Sequence, residues 1–240
     1  MIAVTRWAVR IHKWLALIVG LQILLWVLGG FVMSLLPIEA VRSEHTIPAA
    51  RTEPLALDTL LAPGSAAREA GVSTVRGAVL GYWNERPVYR FQTPRGVVMV
   101  DAQSGARLSP LDEAAARQTA QANYAGVAPV KSLTYFETPT WEYRRSGPAW
   151  RAEFDDGEGT RLYISPDSGE VTARRNDRWR VFDFFWMLHV MDYRERENFN
   201  HPLLISMAGL ALATVLAGLV LLVIRVRRSI LVQRSKGRAA

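Results

Sequence analysis

Residues 14–36 read WLALIVGLQILLWVLGGFVMSLL, a run of 23 positions without a charged side chain. A second uncharged run of 23, PLLISMAGLALATVLAGLVLLVI, covers residues 202–224. As a helix, each run is about 34 Å long, enough to cross a hydrocarbon core of about 30 Å. The first run could also be a secretory signal, but it exceeds the usual apolar region and no small-residue cleavage site follows it. The sequence therefore predicts two uncleaved transmembrane helices.

The charged residues are distributed unevenly around these two runs. Residues 1–13 carry three basic side chains and residues 225–240 carry six, with no acidic residue in either tail. All 22 acidic residues lie between the runs, with the other 20 of the 29 basic ones. This positive-inside pattern predicts that both termini are cytoplasmic and that the loop between the runs is translocated. The net charge of +7 then reflects topology and attraction to membrane lipid, and we expect no nucleic-acid partner.

The stretch between the helices is long enough to fold as a domain with its own core. Helical patterns cover residues 57–70 and 111–124, and three strand-like runs follow each of them. The runs are residues 75–80, 88–92 and 97–101 in the first set, and residues 130–136, 149–154 and 161–164 in the second. The pattern predicts an α+β domain over residues 37–178, in which a helix plus a three-stranded antiparallel meander occurs twice. The repeats are expected at about 55–108 and 109–172.

The hairpins of the two repeats also match residue by residue. PVYR at residues 87–90 resembles PAWR at residues 148–151. VDAQSG at residues 100–105 resembles ISPDSG at residues 164–169. The glycine that ends each Ser-Gly element is expected to adopt a positive φ in a turn, which is a structural role.

On these hairpins the chain resembles the PepSY family, and more closely its membrane-anchored group, over nearly its whole length. The motif IHKW at residues 11–14, Leu188-His189 and the Gly-Leu pairs at residues 209–210 and 218–219 belong to the same resemblance. The resemblance implies an inner-membrane component linked to iron uptake and ferric reduction, in some members with haem between the helices. The resemblance to soluble PepSY domains implies instead an inhibitory or binding module. Members of the larger membrane group have more than two membrane helices.

Within this resemblance, three of the four histidines are candidate haem iron ligands: His12, His189 and His201. Because the chain has no cysteine, bis-imidazole ligation is the simplest way for it to hold haem b in a bilayer. His12 is expected at the cytoplasmic end of the first membrane helix, and the other two at the outer end of the second. Roughly 30 Å of bilayer separates these levels, so His12 cannot share an iron with them. A haem at the cytoplasmic level would need His12 from two chains, whereas one at the outer level could use His189 with His201, or either of them paired across a dimer. A homodimer or a complex with a membrane reductase partner is therefore expected.

Each of these histidines also has a structural explanation. His12 could be an interfacial anchor beside the first helix. His189 lies in an aromatic-rich segment, residues 179–200, that could simply rest in the membrane interface. His201 precedes a proline at the start of the second membrane helix, expected over residues 201–224, and could be a helix-start residue.

Other candidate sites have little support in the sequence. His45 and the charged segment at residues 191–197 are expected to be solvated. No hydrolase, phosphate-binding or flavin motif is present, so an electron donor must come from another chain. The leading prediction is a haem-binding electron-transfer subunit linked to ferric iron reduction or uptake, whose status as an enzyme stays open. The alternative is a non-enzymatic, membrane-anchored periplasmic binding or inhibitory module.

Overall fold

The computed structural model of the chain describes residues 2–49 and 54–237. The chain divides into two units. Unit 1 contains Met1–Leu35 and Phe182–Ala240, and unit 2 contains Leu36–Val181. The first apolar run and the candidate histidines His189 and His201 thus belong to unit 1, and the predicted α+β domain belongs to unit 2.

The helices and strands follow the chain in this order. The helices are α1 (Ile2–Leu35), α2 (Ile38–Val41), α3 (Pro63–Glu69), α4 (Glu113–Ala122), α5 (Asp177–Val190) and α6 (Pro202–Gly237). The strands are β1 (Gly77–Trp83), β2 (Arg86–Thr93), β3 (Gly96–Asp101), β4 (Val130–Phe136), β5 (Ala149–Phe154), β6 (Arg161–Ile164) and β7 (Val171–Arg175). Short 3-10 turns cover Glu44–Thr46 and Leu57–Thr59.

One helical stretch among the described residues is long and apolar enough to cross a membrane. It is Ala16–Leu35 of α1, with a mean hydropathy of 2.3. Only 11% of it is buried by protein, so most of its apolar side chains are available to lipid. In α6, the apolar stretch among the described residues is Pro202–Leu216, which is shorter than a membrane span. A membrane anchor at α1 is therefore supported, and the second span stays a prediction.

Within unit 1, α1 packs against α6. Val19 of α1 and Ala211 of α6 are both buried. A Cβ added at Gly29 of α1 would lie 3.8 Å from the backbone oxygen of Phe185 in α5. The small side chains at positions 29 and 211 are consistent with close helix packing in lipid.

Unit 2 contains two antiparallel sheets, with the strand orders β1-β2-β3 and β4-β5-β6-β7. This confirms the prediction of an α+β class, and β4, β5 and β6 have the predicted bounds. The second sheet differs from the expected three-stranded meander because β7 adds a fourth strand, in which Ala173 pairs with Tyr163 of β6.

The two repeats diverge after their Ser-Gly turns. In the first repeat, the corresponding segment forms an isolated bridge between Val100 and Arg107 and then reaches Pro110. A proline nitrogen carries no proton for a strand ladder, so pairing ends there. In the second repeat, Val171–Arg175 has no proline and continues as β7.

The start of each repeat helix is explained by the residue at its N-terminus. The expected helix at residues 57–70 is a 3-10 turn followed by α3, which has Pro63 at its first position. A proline favours that position because its φ is fixed and its missing N–H would have no partner there. In α4, the side chain of Asp112 accepts a hydrogen bond from the Ala115 N–H at 2.8 Å and caps the helix.

Both Ser-Gly turns require their glycine, which confirms the structural role predicted for them. The φ angles of Gly105 and Gly169 are +75° and +67°, a region that side chains disfavour. A Cβ on Gly169 would also lie 2.7 Å from Trp83 Cδ1 of the first repeat. A Cβ on Gly105 would lie 2.7 Å from Glu69 Cβ of α3.

Two hydrophobic clusters occupy the opposite faces of the first sheet. Tyr89 and Phe91 of β2 face α3, whereas Val88 of β2 and Met99 of β3 face the second repeat. This is the alternation expected of a strand buried on both sides. The second cluster is completed by side chains of α4, its flanking residues and the second sheet: Leu111, Ala120, Tyr124, Ala152, Phe154, Leu162 and Ile164. The two repeats therefore share one core.

Leu162→Ala tests this shared core. Leu162 is fully buried, so we expect the variant to lower the free energy of unfolding by about 2–5 kcal/mol, from lost burial and the cavity left behind. Leu57→Ala is the matched control because Leu57 is 68% exposed. Chemical denaturation of the detergent-solubilised protein, followed by near-ultraviolet circular dichroism, measures both. Equal effects of the two substitutions would contradict the shared core.

Candidate functional site

The three candidate histidines have different structural settings. His12 is a residue of α1, but its side chain is outside the described part of the structure. His189 is the penultimate residue of α5, and His201 directly precedes α6. The settings of His189 and His201 in unit 1 can be compared atom by atom.

The imidazole of His189 packs against an indole of the first membrane helix. The ring centroids of His189 and Trp26 are 6.1 Å apart, with an angle of 41° between the ring planes. His189 Nδ1 and Trp26 Nε1 are both buried without a hydrogen-bond partner among the described residues. Leaving such a group unpaired costs about 1–3 kcal/mol. Unsatisfied buried polar atoms are uncommon, and a ligand or redox role is one established reason for them.

His201 is already engaged in the first turn of α6. Its Nδ1 accepts a hydrogen bond from the Leu203 N–H at 3.3 Å, and its backbone oxygen accepts one from the Ile205 N–H at 3.1 Å. A neutral imidazole has only one nitrogen with a free lone pair. While Nδ1 accepts this hydrogen bond, Nε2 carries the proton and cannot bind a metal. The contact supports the helix-start explanation of His201, and its ligation stays a prediction.

A tightly bonded loop connects the two histidines. The carboxylate of Asp192 accepts hydrogen bonds from four backbone N–H groups at 3.1–3.2 Å: Arg194, Glu195, Glu197 and Asn198. Burial by itself would raise the pKa of Asp192, but these N–H donors lower it to about 2. The segment expected to be a solvated turn therefore contains a buried carboxylate around which the backbone folds.

A second contact ties this loop to α5. Arg196 donates to the carboxylate of Asp183, which is buried in α5. The backbone oxygen of Arg196 accepts a hydrogen bond from Trp186 Nε1 at 3.0 Å. These contacts hold the end of α5, and with it His189, in a defined position relative to the loop.

One of the described histidines fits a haem iron. The imidazole of His189 has a buried Nδ1 without a hydrogen-bond partner in the described structure and lies next to an aromatic ring. An imidazole is the usual axial ligand of b-type haem. No group of three or more histidine or acidic side chains that could hold a metal ion occurs among the described residues. One chain therefore supplies one uncommitted imidazole from its described histidines.

Unit 2 contains a separate cleft of about 1230 Å³ to which both repeats contribute. Its wall includes Ile47, Tyr82, Trp83, Glu85, Arg86, Arg90, Gln118, Asn123, Glu170 and Arg174. Arg90 donates from Nε to the Ser168 oxygen at 2.7 Å and lies 3.6 Å from the carboxylate of Glu170. Burial lowers the pKa of Arg90, and Glu170 opposes this effect.

Arg174, on β7, is the second partly buried cation of the cleft. It donates to the Asn123 oxygen at 2.7 Å and to both oxygens of Thr46 at 3.3 Å. Asn123 caps the C-terminal end of α4, where the helix dipole favours a cation. Burial lowers the pKa of Arg174. In the described structure no carboxylate pairs with this guanidinium, so the part of the cleft wall around Arg174 carries a positive charge.

The sequence analysis did not identify these cleft arginines. Arg90 lies inside the PVYR motif that revealed the duplication, and it shares a strand face with the buried Val88. The sequence signal that could have identified Arg90 is a charged residue at a strand position that faces inward. His45, which was expected to be solvated, is partly exposed and lies 2.9 Å from Glu158.

Comparison with known proteins bears on both units. Residues 9–240 match the family model described as PepSY-associated TM region. This match confirms the resemblance noted in the hairpins and in the helix motifs. No curated protein and no solved structure matches the chain.

Asp192→Asn tests the loop between the histidines. The folded-state pKa of Asp192, about 2, lies below the ordinary 3.8. Its carboxylate therefore stabilises the fold above pH 4, and this contribution is lost as the pH falls through about 2. At neutral pH we expect the variant to lower the thermal midpoint, because an amide supplies one acceptor oxygen where two are used.

Thermal unfolding in detergent at several pH values measures this effect. Between pH 4 and pH 2, the midpoint of the wild type is expected to fall more than that of the Asn variant. Asp58→Asn is the control, because Asp58 is exposed in unit 2. An Asp192 variant that unfolds like this control at every pH would contradict the role of the buried carboxylate.

Proposed function

This chain belongs to the PepSY-associated transmembrane family, and on that premise we propose that it is a haem b-binding subunit of the bacterial inner membrane that carries electrons toward ferric iron or another periplasmic acceptor. One observation carries the haem assignment: the His189 imidazole lies beside Trp26 with a buried nitrogen that has no hydrogen-bond partner in the described structure. The family match and the apolar stretch Ala16–Leu35 support the membrane location.

The proposed topology has both termini in the cytoplasm and unit 2 in the periplasm. The basic tails at residues 1–13 and 225–240, which have no acidic residue, support this orientation. The uncharged run at residues 202–224 supports α6 as the second span. Under this topology His12 belongs to the cytoplasmic level of the membrane and His189 to the periplasmic level.

His189 would hold the haem iron at the periplasmic level, with its ring packed against that of Trp26. Haem b supplies an iron that changes between the ferrous and ferric states and so takes up and releases single electrons. Since His201 is engaged in capping α6, the second imidazole is proposed to come from another chain, either a second copy or a membrane reductase. His12 is the proposed ligand at the cytoplasmic level, paired with its equivalent in a second copy.

A second candidate function is a non-enzymatic binding or inhibitory module held at the membrane. The cleft of unit 2 favours it, because its volume of about 1230 Å³ and the positively charged wall around Arg174 could receive part of another protein. Under this candidate, alanine at His12, His189 and His201 together would leave function intact. Under the haem proposal the same triple substitution would abolish it.

His189→Ala gives the direct test of haem binding. After expression with a haem precursor, we expect the purified wild type to show a Soret band and, after dithionite reduction, sharp α and β bands. The His189 variant is expected to lose the low-spin bands because one axial imidazole is missing. His45→Ala is the matched control and should keep the spectrum, because His45 lies in unit 2. A featureless wild-type spectrum, or an unchanged one in His189→Ala, would refute the proposal.

A pair of substitutions at His201 separates ligation from capping. Asparagine keeps a side-chain acceptor for the Leu203 N–H, whereas alanine removes it at a cost of about 1 kcal/mol. If His201 is a cap, both variants keep the absorption bands and only His201→Ala unfolds at a lower temperature. If His201 is a ligand, both lose the low-spin bands. Absorption spectra and thermal unfolding of the two variants decide between these roles.

A further inference from the structure

A cluster of aromatic and basic side chains lies on unit 2 around the first turns of α5. We call it the Trp179 cluster, and it contains Trp141, Arg144, Arg175 and Trp179. The ring centroids of the two tryptophans are 6.3 Å apart. The guanidinium carbons of Arg175 and Arg144 lie 4.2 Å and 5.3 Å from the centre of the Trp179 ring. Both distances are within the range of cation–π attraction.

A buried carboxylate holds this cluster in place. Glu142, beside Trp141, accepts hydrogen bonds from Arg161 Nη1 at 2.8 Å and from Arg180 Nη2 at 2.7 Å. Its backbone oxygen accepts one from Arg175 Nε at 3.0 Å. Burial by itself would raise the pKa of Glu142, but Arg161 and Arg180 outweigh this effect. The pKa is lowered overall, so the carboxylate stays charged. The loop between β4 and β5 is therefore fixed to β6, β7 and α5.

The fixed cluster is nevertheless partly exposed. Trp141 is 56% exposed, which is unusual for so large an aromatic side chain. Arg145, next in the loop, is exposed, and Arg42 is 66% exposed. Arg42 lines a shallow depression together with Arg175 and Trp179. The nearby acidic groups are Glu142, which is buried and paired, Asp177, which pairs with Arg180, and Glu44, which lies 3.7 Å from Arg42. Arg144, Arg145 and Arg175 outnumber them on the side of the tryptophans. The surface is therefore basic and aromatic.

The cluster is close, along the chain, to both places where unit 2 joins unit 1. Unit 1 resumes at Phe182, within α5, and Trp179 lies three positions before it on the same helix. Arg42 follows Leu35, the end of α1, by seven positions. Tryptophan and arginine are the side chains that occupy the headgroup level of a membrane, where an apolar body and a polar tip are both satisfied.

We propose that the Trp179 cluster binds the headgroups of anionic phospholipid. The tryptophans contact the interface, and the arginines donate charge-assisted hydrogen bonds to the phosphate oxygens of the lipid headgroups. The proposal depends on the membrane anchoring of the chain and is independent of haem.

The absence of cysteine makes a site-specific test possible. Ser146→Cys, in the exposed part of the β4–β5 loop, is labelled with an environment-sensitive fluorophore in the full chain. The protein is placed in nanodiscs of phosphatidylcholine, alone or mixed with phosphatidylglycerol, that contain a headgroup-level spin-labelled quencher. Ser73→Cys, exposed in the α3–β1 loop, is labelled in the same way as the control. With phosphatidylglycerol, we expect quenching at position 146 to be at least about twofold stronger than at position 73.

A charge reversal identifies the cause of the quenching. Arg145→Glu in the Ser146→Cys background is expected to reduce quenching in phosphatidylglycerol discs to the phosphatidylcholine level. Arg95→Glu makes the same charge change on an exposed loop of the first sheet and should leave quenching unchanged.

Quenching at position 146 that does not exceed that at position 73 would overturn the proposal. A label at position 146 that is shielded from water equally in both lipids, but is not quenched, would indicate contact with protein and not with lipid. That outcome also overturns the proposal. The fluorescence readout does not involve haem, so failure here and failure of haem binding are distinguishable.

Discussion

The apolar layer shared by the two repeats is the constraint on which unit 2 depends. Val88 and Met99 of the first repeat and Leu162 and Ile164 of the second are all fully buried in it. Burying such a side chain contributes about 1.5–3 kcal/mol, and neither sheet could obtain this alone. The shared layer also aligns the ends of the two sheets, so the cleft receives wall residues from both. A ligand in that cleft would contact the whole domain and not one repeat.

Two buried carboxylates organise the parts of the chain that lie outside this layer, and they do so by different chemistry. Glu142 is neutralised by the guanidinium groups of Arg161 and Arg180, which connect a loop to β6 and α5. Asp192 is held by backbone N–H groups, which wrap a loop around it. The first arrangement joins segments that are distant along the chain. The second shapes one short segment, and it fixes the separation of the neighbouring histidines.

Much of the fold of unit 2 could be predicted because its signals are local. Strands β4, β5 and β6 are bounded in the sequence by nearby prolines and glycines, which mark where each strand begins and ends. β7 was missed because Val171–Arg175 contains two arginines, one of which is used inside the cleft. The site was less accessible to such analysis. The sequence offered both His189 and His201 as candidate ligands, and the Trp26 ring and the Leu203 N–H, seen in three dimensions, show how their settings differ. Asp192 belongs to a charged segment, and its composition predicts exposure to solvent.

The fit of Trp83 over Gly169 has a consequence for how this domain arose. The indole of the first repeat occupies the space that any larger residue would need in the Ser-Gly turn of the second. A lone ancestral repeat would have exposed Val88, Met99 and this indole to water. Such a repeat could persist only by pairing with an identical copy across the same face. In the single chain the second repeat covers this face, and β7 is the strand by which the two sheets differ.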